Sequence, residues 1–158
     1  MNCTRFAWIL VVVALAAGCK LKEEPSATGG NDGPPPIPAP ADVAAPPADA
    51  IKLPSGLAYK VLTVGLGSIH PSPRSVVVTH YTGWTADGKM FQSSYQTQQP
   101  IQIGLIRGNL IDGWYEMLQL MVVGQKVRVW IPPGLAYEKM PDRPQGMLVF
   151  EIELLDIK

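Results

Sequence analysis

Ile111-Asp112-Gly113-Trp114-Tyr115-Glu116-Met117-Leu118-Gln119-Leu120-Met121-Val122-Val123-Gly124-Gln125-Lys126-Val127-Arg128-Val129-Trp130-Ile131-Pro132-Pro133-Gly134-Leu135-Ala136-Tyr137 contains one change of period, and that change decides the fold. Trp114, Met117, Leu118 and Met121 recur at i, i+3, i+4 and i+7, which places a Trp and three large apolar groups on one helical face. After Gly124 the period is two, with Val127, Val129 and Ile131 alternating with Lys126, Arg128 and Trp130. So short a helix is marginal by itself and must be held by packing. The stretch therefore describes a helix laid on a β-sheet, with Trp114 and Tyr137 brought to the same end.

Working outward, the flanking segments supply the sheet. Leu57 to Leu62 reads as a strand, and so does Ser75 to Thr85, rich in Val, Thr and aromatic residues. Asp87-Gly88 closes a hairpin, since both residue types tolerate positive φ, and Lys89 to Ser94 returns. Pro100 to Ile103 is short and alternating, and its proline suits a strand start or an edge. In Met147 to Ile157, Leu148, Phe150, Ile152 and Leu154 face one way and Glu151 and Glu153 the other, as in a half-buried antiparallel strand. The expected class is α+β: a curved antiparallel sheet of five to six strands wrapped around one short helix.

The chain has 158 residues, 16 prolines, 15 glycines, two cysteines and a formal net charge of zero. A neutral balance with no basic cluster argues against a nucleic-acid partner. Eight of the prolines lie between Pro25 and Pro47. That skew confines the expected folded domain to residues 52–158, still long enough to bury a core.

Before the domain, Arg5 precedes an apolar run from Phe6 to Ala17. The run is too short to span a bilayer and suits the h-region of a secretory signal over residues 1–18. Its end, Leu15-Ala16-Ala17-Gly18-Cys19, resembles the lipobox of bacterial lipoproteins, which implies lipidation of Cys19 as the mature N-terminus. With Cys3 removed, no internal disulfide is expected. Acyl chains contribute about 0.8 kcal/mol per buried methylene. The expected location is extracytoplasmic and lipid-anchored, with the outer membrane favoured by Lys20 if the host has two membranes. Residues 19–51, rich in Pro and Ala, are expected to form a disordered tether that holds the domain on the order of 50 to 100 Å from its anchor.

Across the domain, His80-Tyr81-Thr82-Gly83, Asp87-Gly88, Phe91-Gln92-Ser93-Ser94, Ile111-Asp112-Gly113-Trp114, Ile131-Pro132, Leu135-Ala136-Tyr137 and Leu148-Val149-Phe150 follow in an order and spacing that resemble the FKBP-type peptidyl-prolyl cis-trans isomerases. Within that family, Gly113 to Met121 looks most like the branch of the macrophage infectivity potentiators. That branch carries a helical dimerisation region where this chain has its tether, so a monomeric domain is expected here.

The resemblance implies a site, residue by residue. Trp114 would be the floor under a substrate proline, with Tyr81, Phe91 and Phe150 as aromatic walls and Tyr137 offering its hydroxyl. Ile101, Leu110, Ile111, Gln92 and Leu148 would contact substrate, with the Ile111 N–H free for a substrate carbonyl. The implied activity is isomerisation of X-Pro bonds in unfolded or partly folded polypeptides, with no metal and no cofactor. Three departures accompany it. Gln92 stands where the family usually has Asp, Ile101 stands where Phe is frequent, and the segment from Glu138 to Met147, which would flap over substrate, is short. Gln92 and the short flap imply reduced catalysis, and leave as the alternative a non-catalytic peptide-binding or chaperone module using the same cleft, while Ile101 makes its part of the wall less aromatic.

Overall fold

The computed structural model describes residues 34–158. The expected signal segment, Cys19 and the first part of the tether lie outside these residues. Strands β1 (Ile51–Lys52), β2 (Ala58–Thr63), β3 (Val76–Thr85), β4 (Met90–Ser93), β5 (Ile101–Gly104), β6 (Lys126–Ile131) and β7 (Leu148–Ile157) accompany one helix, α1 (Asp112–Leu120). All pairings are antiparallel, in the order β1-β2-β6-β7-β3-β4. Strand β5 joins the stretch of β3 that β4 leaves free, so the first half of β3 pairs with β5 and the second with β4. The fold is the α+β arrangement expected, with β1 as an additional two-residue strand.

The period-two pattern becomes the two faces of this sheet. Val127, Val129 and Ile131 of β6 and Leu148, Phe150, Ile152 and Leu154 of β7 are fully or almost fully buried on the concave side. There they meet Trp114, Met117, Leu118 and Met121 of the helix segment. Helix α1 has no side-chain cap at Ile111, although Asp112 in its first turn complements the helix dipole. At nine residues its stability comes from this packing. It can lie close to β6 because residue 113 is glycine: a Cβ there would sit 2.5 Å from Ile131 Cγ2.

Two expectations need correction. At the β3–β4 hairpin only Gly88 has positive φ, at 85°. Asp87 does not, and its carboxylate accepts from the Thr85 hydroxyl instead. Local side-chain bonding of this kind lets Asp serve a turn without adopting a left-handed backbone. The larger correction concerns the tether, whose residues 34–51 are not free. The Trp84 and Trp130 indoles donate to backbone carbonyls of Ile37 and Asp42, and Asp49 pairs with Lys60 at 2.7 Å. Ile51 and Lys52 pair with β2. Composition reports how much apolar surface a segment carries, but it does not report a surface elsewhere in the chain that is shaped to receive it.

Candidate functional site

The site forms where the N-terminal end of α1 meets the open end of the concave face. Trp114, in the first turn of α1, is edge-on to Tyr81 of β3 at 5.1 Å between centroids and 88° between planes. It is also edge-on to Phe150 of β7 at 5.4 Å and 88°. Phe150 in turn meets Phe91 of β4 at 5.5 Å and 89°. Such T-shaped pairs contribute about 0.5–1.5 kcal/mol each beyond their area, so three in series make a stiff wall.

Two local features of the sequence build that wall. In the β3–β4 ladder Gly83 faces Gln92 and Trp84 faces Met90, leaving Phe91 as the extra residue of a bulge. A bulge re-aims side chains. Phe91 reaches Phe150, while its neighbour Gln92 lines the cleft. Gly83 supplies the space for the two phenylalanines: a Cβ there would lie 2.7 Å from both Phe150 Cε1 and Phe91 Cζ.

Tyr81 is held through its backbone. Its N–H donates to Ser94 Oγ at 2.9 Å and its carbonyl accepts from Ser93 Oγ at 3.2 Å. The Ser93-Ser94 pair thus serves structure, and His80, bonded to Ser94 Oγ at 2.9 Å and stacked on Tyr95 at 4.5 Å, does the same. Burial raises the pKa of the Tyr81 hydroxyl, and the nearby Tyr137 adds to the shift. The Tyr81 phenol therefore enters the cleft as a neutral donor near neutral pH.

The result is a cleft of about 460 Å³. Of the expected residues, Tyr81, Gln92, Ile101, Leu110, Ile111, Trp114, Tyr137 and Phe150 line it. Phe91 and Leu148 do not. Phe91 stands behind Phe150, and Leu148 is fully buried between Thr85 and Ile131 in the sheet. Leu148 shares the concave face with Phe150 because the two are two residues apart, but it lies one pleat too deep. The Ile111 N–H donates to no described backbone group.

Sequence reasoning missed Ile103, Asn109 and Asp112, and it left the flap residues Glu138, Lys139, Met140 and Arg143 unassigned. The alternation of Ile101 and Ile103 was the available signal for the first of these. The flap is pinned by Gln145, whose Nε2 lies within 3.3 Å of the carbonyls of Tyr137, Met140 and Arg143. The Arg143 guanidinium sits 5.8 Å from the Tyr137 ring centroid. No local pattern encodes these contacts.

An antiparallel sheet wrapped on one helix, with an aromatic cleft at the helix N-terminus, defines an FKBP-like domain. Residues 67–155 match the FKBP-type peptidyl-prolyl cis-trans isomerase family, and the chain belongs to it. Among its relatives is the isomerase FkpA of Escherichia coli K12, 40% identical over 107 residues that make up 66% of this chain and 38% of that protein. The outer membrane protein MIP of Legionella longbeachae is 36% identical over 112 residues, 68% of this chain and 47% of the relative. The chain thus spans about two-fifths to one-half of these curated relatives. Solved structures agree. The E. coli FkpA crystal structure superposes with a TM-score of 0.64 at 36% identity, covering 71% of this chain and 53% of that one. A peptidyl-prolyl cis-trans isomerase from Pseudomonas syringae gives 0.62 at 35% identity, covering 71% and 83%.

Proposed function

We propose that the domain catalyses cis-trans isomerisation of X-Pro bonds in unfolded or partly folded polypeptides. The observation that carries this reading is the floor of the cleft: the Trp114 indole held edge-on between Tyr81 and Phe150. Rotation about a peptide bond meets a barrier of about 18–20 kcal/mol because it breaks amide resonance. In the twisted state the carbonyl carries less charge and loses less on leaving water. A cleft that presents ring surface to the proline therefore favours the twisted amide over the planar one. A ten-thousand-fold acceleration needs only about 5.5 kcal/mol of such preference. In this reading the Ile111 N–H and the Tyr137 hydroxyl hold substrate carbonyls on either side of the rotating bond.

Tyr137→Phe should leave the fold intact and lower kcat/KM in a proline-limited peptide assay by roughly 2- to 10-fold, the loss of one hydrogen bond. The same assay on the parent chain and on Gln92→Asp separates the two readings of the cleft. Gln92 places a neutral amide at the rim, and that favours a binding module as the second reading. Turnover in the parent supports the enzyme. A silent parent beside an active Gln92→Asp, with peptide binding intact in both, would instead make the domain a binding module.

We also infer that residues 1–18 are a secretory signal, that Cys19 is lipidated, and that the domain works outside the cytoplasm as a monomer. Support comes from the lipobox-like Leu15 to Cys19 and from a relative named as an outer membrane protein. Among the described residues no helix is long and apolar enough to cross a membrane. Cys19→Ala should release the protein from the membrane fraction. Retention of that variant would refute the anchor.

A further inference from the structure

The convex face of the sheet carries a second aromatic row that isomerisation does not use. Ala58, Trp130, Val149 and Trp84 stand opposite one another across β2, β6, β7 and β3, and Met90 continues the row on β4. Residues directly opposite in adjacent strands share a face. On an open outer face two tryptophans would be largely exposed, yet each is only 1% exposed, because the chain between Pro34 and Ala50 crosses the row.

The contacts are those that suit a proline-rich peptide. Pro34-Pro35-Pro36-Ile37-Pro38-Ala39-Pro40 has five prolines in seven residues. Such a segment has few N–H groups to offer and many free carbonyls, and its backbone is already restricted to extended conformations. The row answers with donors. Trp84 Nε1 donates to the Ile37 carbonyl at 3.0 Å, Trp130 Nε1 to the Asp42 carbonyl at 3.0 Å, and Gln96 Nε2 to the Pro34 carbonyl at 3.4 Å. The Ile37 N–H finds the Met90 thioether at 3.3 Å. Val43 and Ala50 pack against the cluster of Ala58, Trp130 and Val149. Aromatic surface with indole N–H groups aimed at carbonyls is the chemistry by which proline-rich segments are recognised in general. One side-chain contact adds register: the Asp42 carboxylate pairs with Arg128, whose other donors are held by Glu151 at 2.6 and 3.1 Å.

We propose that the convex face is a binding groove for a proline-rich peptide whose proline run ends in a turn, separate from the isomerase cleft, and that residues 34–43 of the same molecule, which turn after Pro40 where the Val43 N–H donates to the Pro40 carbonyl at 3.1 Å, are its resident occupant. Recognition runs mainly through indole N–H groups and backbone carbonyls, with one ion pair at Asp42. A segment of the same chemistry supplied from outside therefore takes the groove when the resident one is weakened.

The test uses the full chain, isotope-labelled, and reads hydrogen exchange at the indole N–H of Trp84 and Trp130. In the parent both should exchange at least tenfold more slowly than free indole. In Asp42→Lys, which sets a cation against Arg128, and separately in Ile37→Gly, both should accelerate while the amides of β7 keep their protection. A synthetic peptide of residues 33–50 should then restore indole protection in the variants saturably and leave the parent unchanged. The same peptide with every proline replaced by alanine should not. Free exchange in the parent, unchanged protection in both variants, failure of the peptide to bind, or equal binding of the alanine peptide would each overturn the proposal. Parent protection that disappears on dilution would overturn the assignment of the occupant to the same molecule.

Discussion

Trp114→Leu is expected to lower kcat/KM for X-Pro isomerisation by roughly 10- to 100-fold. The substitution removes the ring that stands edge-on to both Tyr81 and Phe150. Two such contacts amount to about 1–3 kcal/mol, and each 1.36 kcal/mol is a factor of about ten in rate. Trp114 is also part of the core with Met117 and Leu118, so stability should fall as well, by on the order of 2 kcal/mol or more. Leucine keeps an apolar group on the helix face and lets the domain fold, and a urea titration run beside the kinetics keeps the two effects apart. A variant that folds and retains kcat/KM within twofold of the parent would remove Trp114 from the catalytic wall.

Gly83→Ala should have the second large effect, through a single methyl group. The new Cβ would lie 2.7 Å from the rings of both Phe91 and Phe150. Residue 83 lies between β4 and β7, paired to Gln92 on one side and Phe150 on the other, so its backbone has no room to retreat. The rings must move, at a cost of about 1–3 kcal/mol, and Phe150, which lines the cleft, is displaced with them. A lower urea midpoint with an unchanged slope is the expected signature, together with weaker peptide binding. Adding Phe91→Leu should recover part of the loss, because it removes one of the two colliding rings. Strict additivity of the two substitutions would show that the rings are not what the methyl group meets.

The two glycines of the concave side mark the limit of what a linear pattern conveys. At Gly113 and Gly83 the residue type is visible, but the reason for it is Ile131 in one case and Phe91 with Phe150 in the other. The same limit explains Leu148. Its parity with Phe150 was legible and correctly put it on the apolar face, whereas its depth within the sheet followed from the pairing with Thr85 and Ile131. Phe91 reached the concave side through a bulge, and a bulge changes parity without changing composition. The flap residues around Tyr137 were legible only as a short loop, since the bonds of Gln145 to three carbonyls exist only once the loop has closed on itself.

What the sequence determined by itself was the arrangement of faces. A period of 3.6 from Trp114 to Met121 and a period of two in the strands state which side chains must leave water, and burial of that apolar surface dictates a helix on a sheet. The same reading brought Trp114 and Tyr137 to one end, and the resemblance to the isomerase family added Tyr81 and Phe150 to that cleft. Only the tertiary structure decided how residues 34–50 are used. Their composition describes a chain with too little apolar surface to fold alone. Their place on the convex face depends on Trp84, Gln96, Arg128 and Trp130, between 47 and 88 residues away in sequence. Periodicity reports a residue's own need for burial. Donors and acceptors that far apart are matched only when the sheet has brought β3 and β6 to either side of β7.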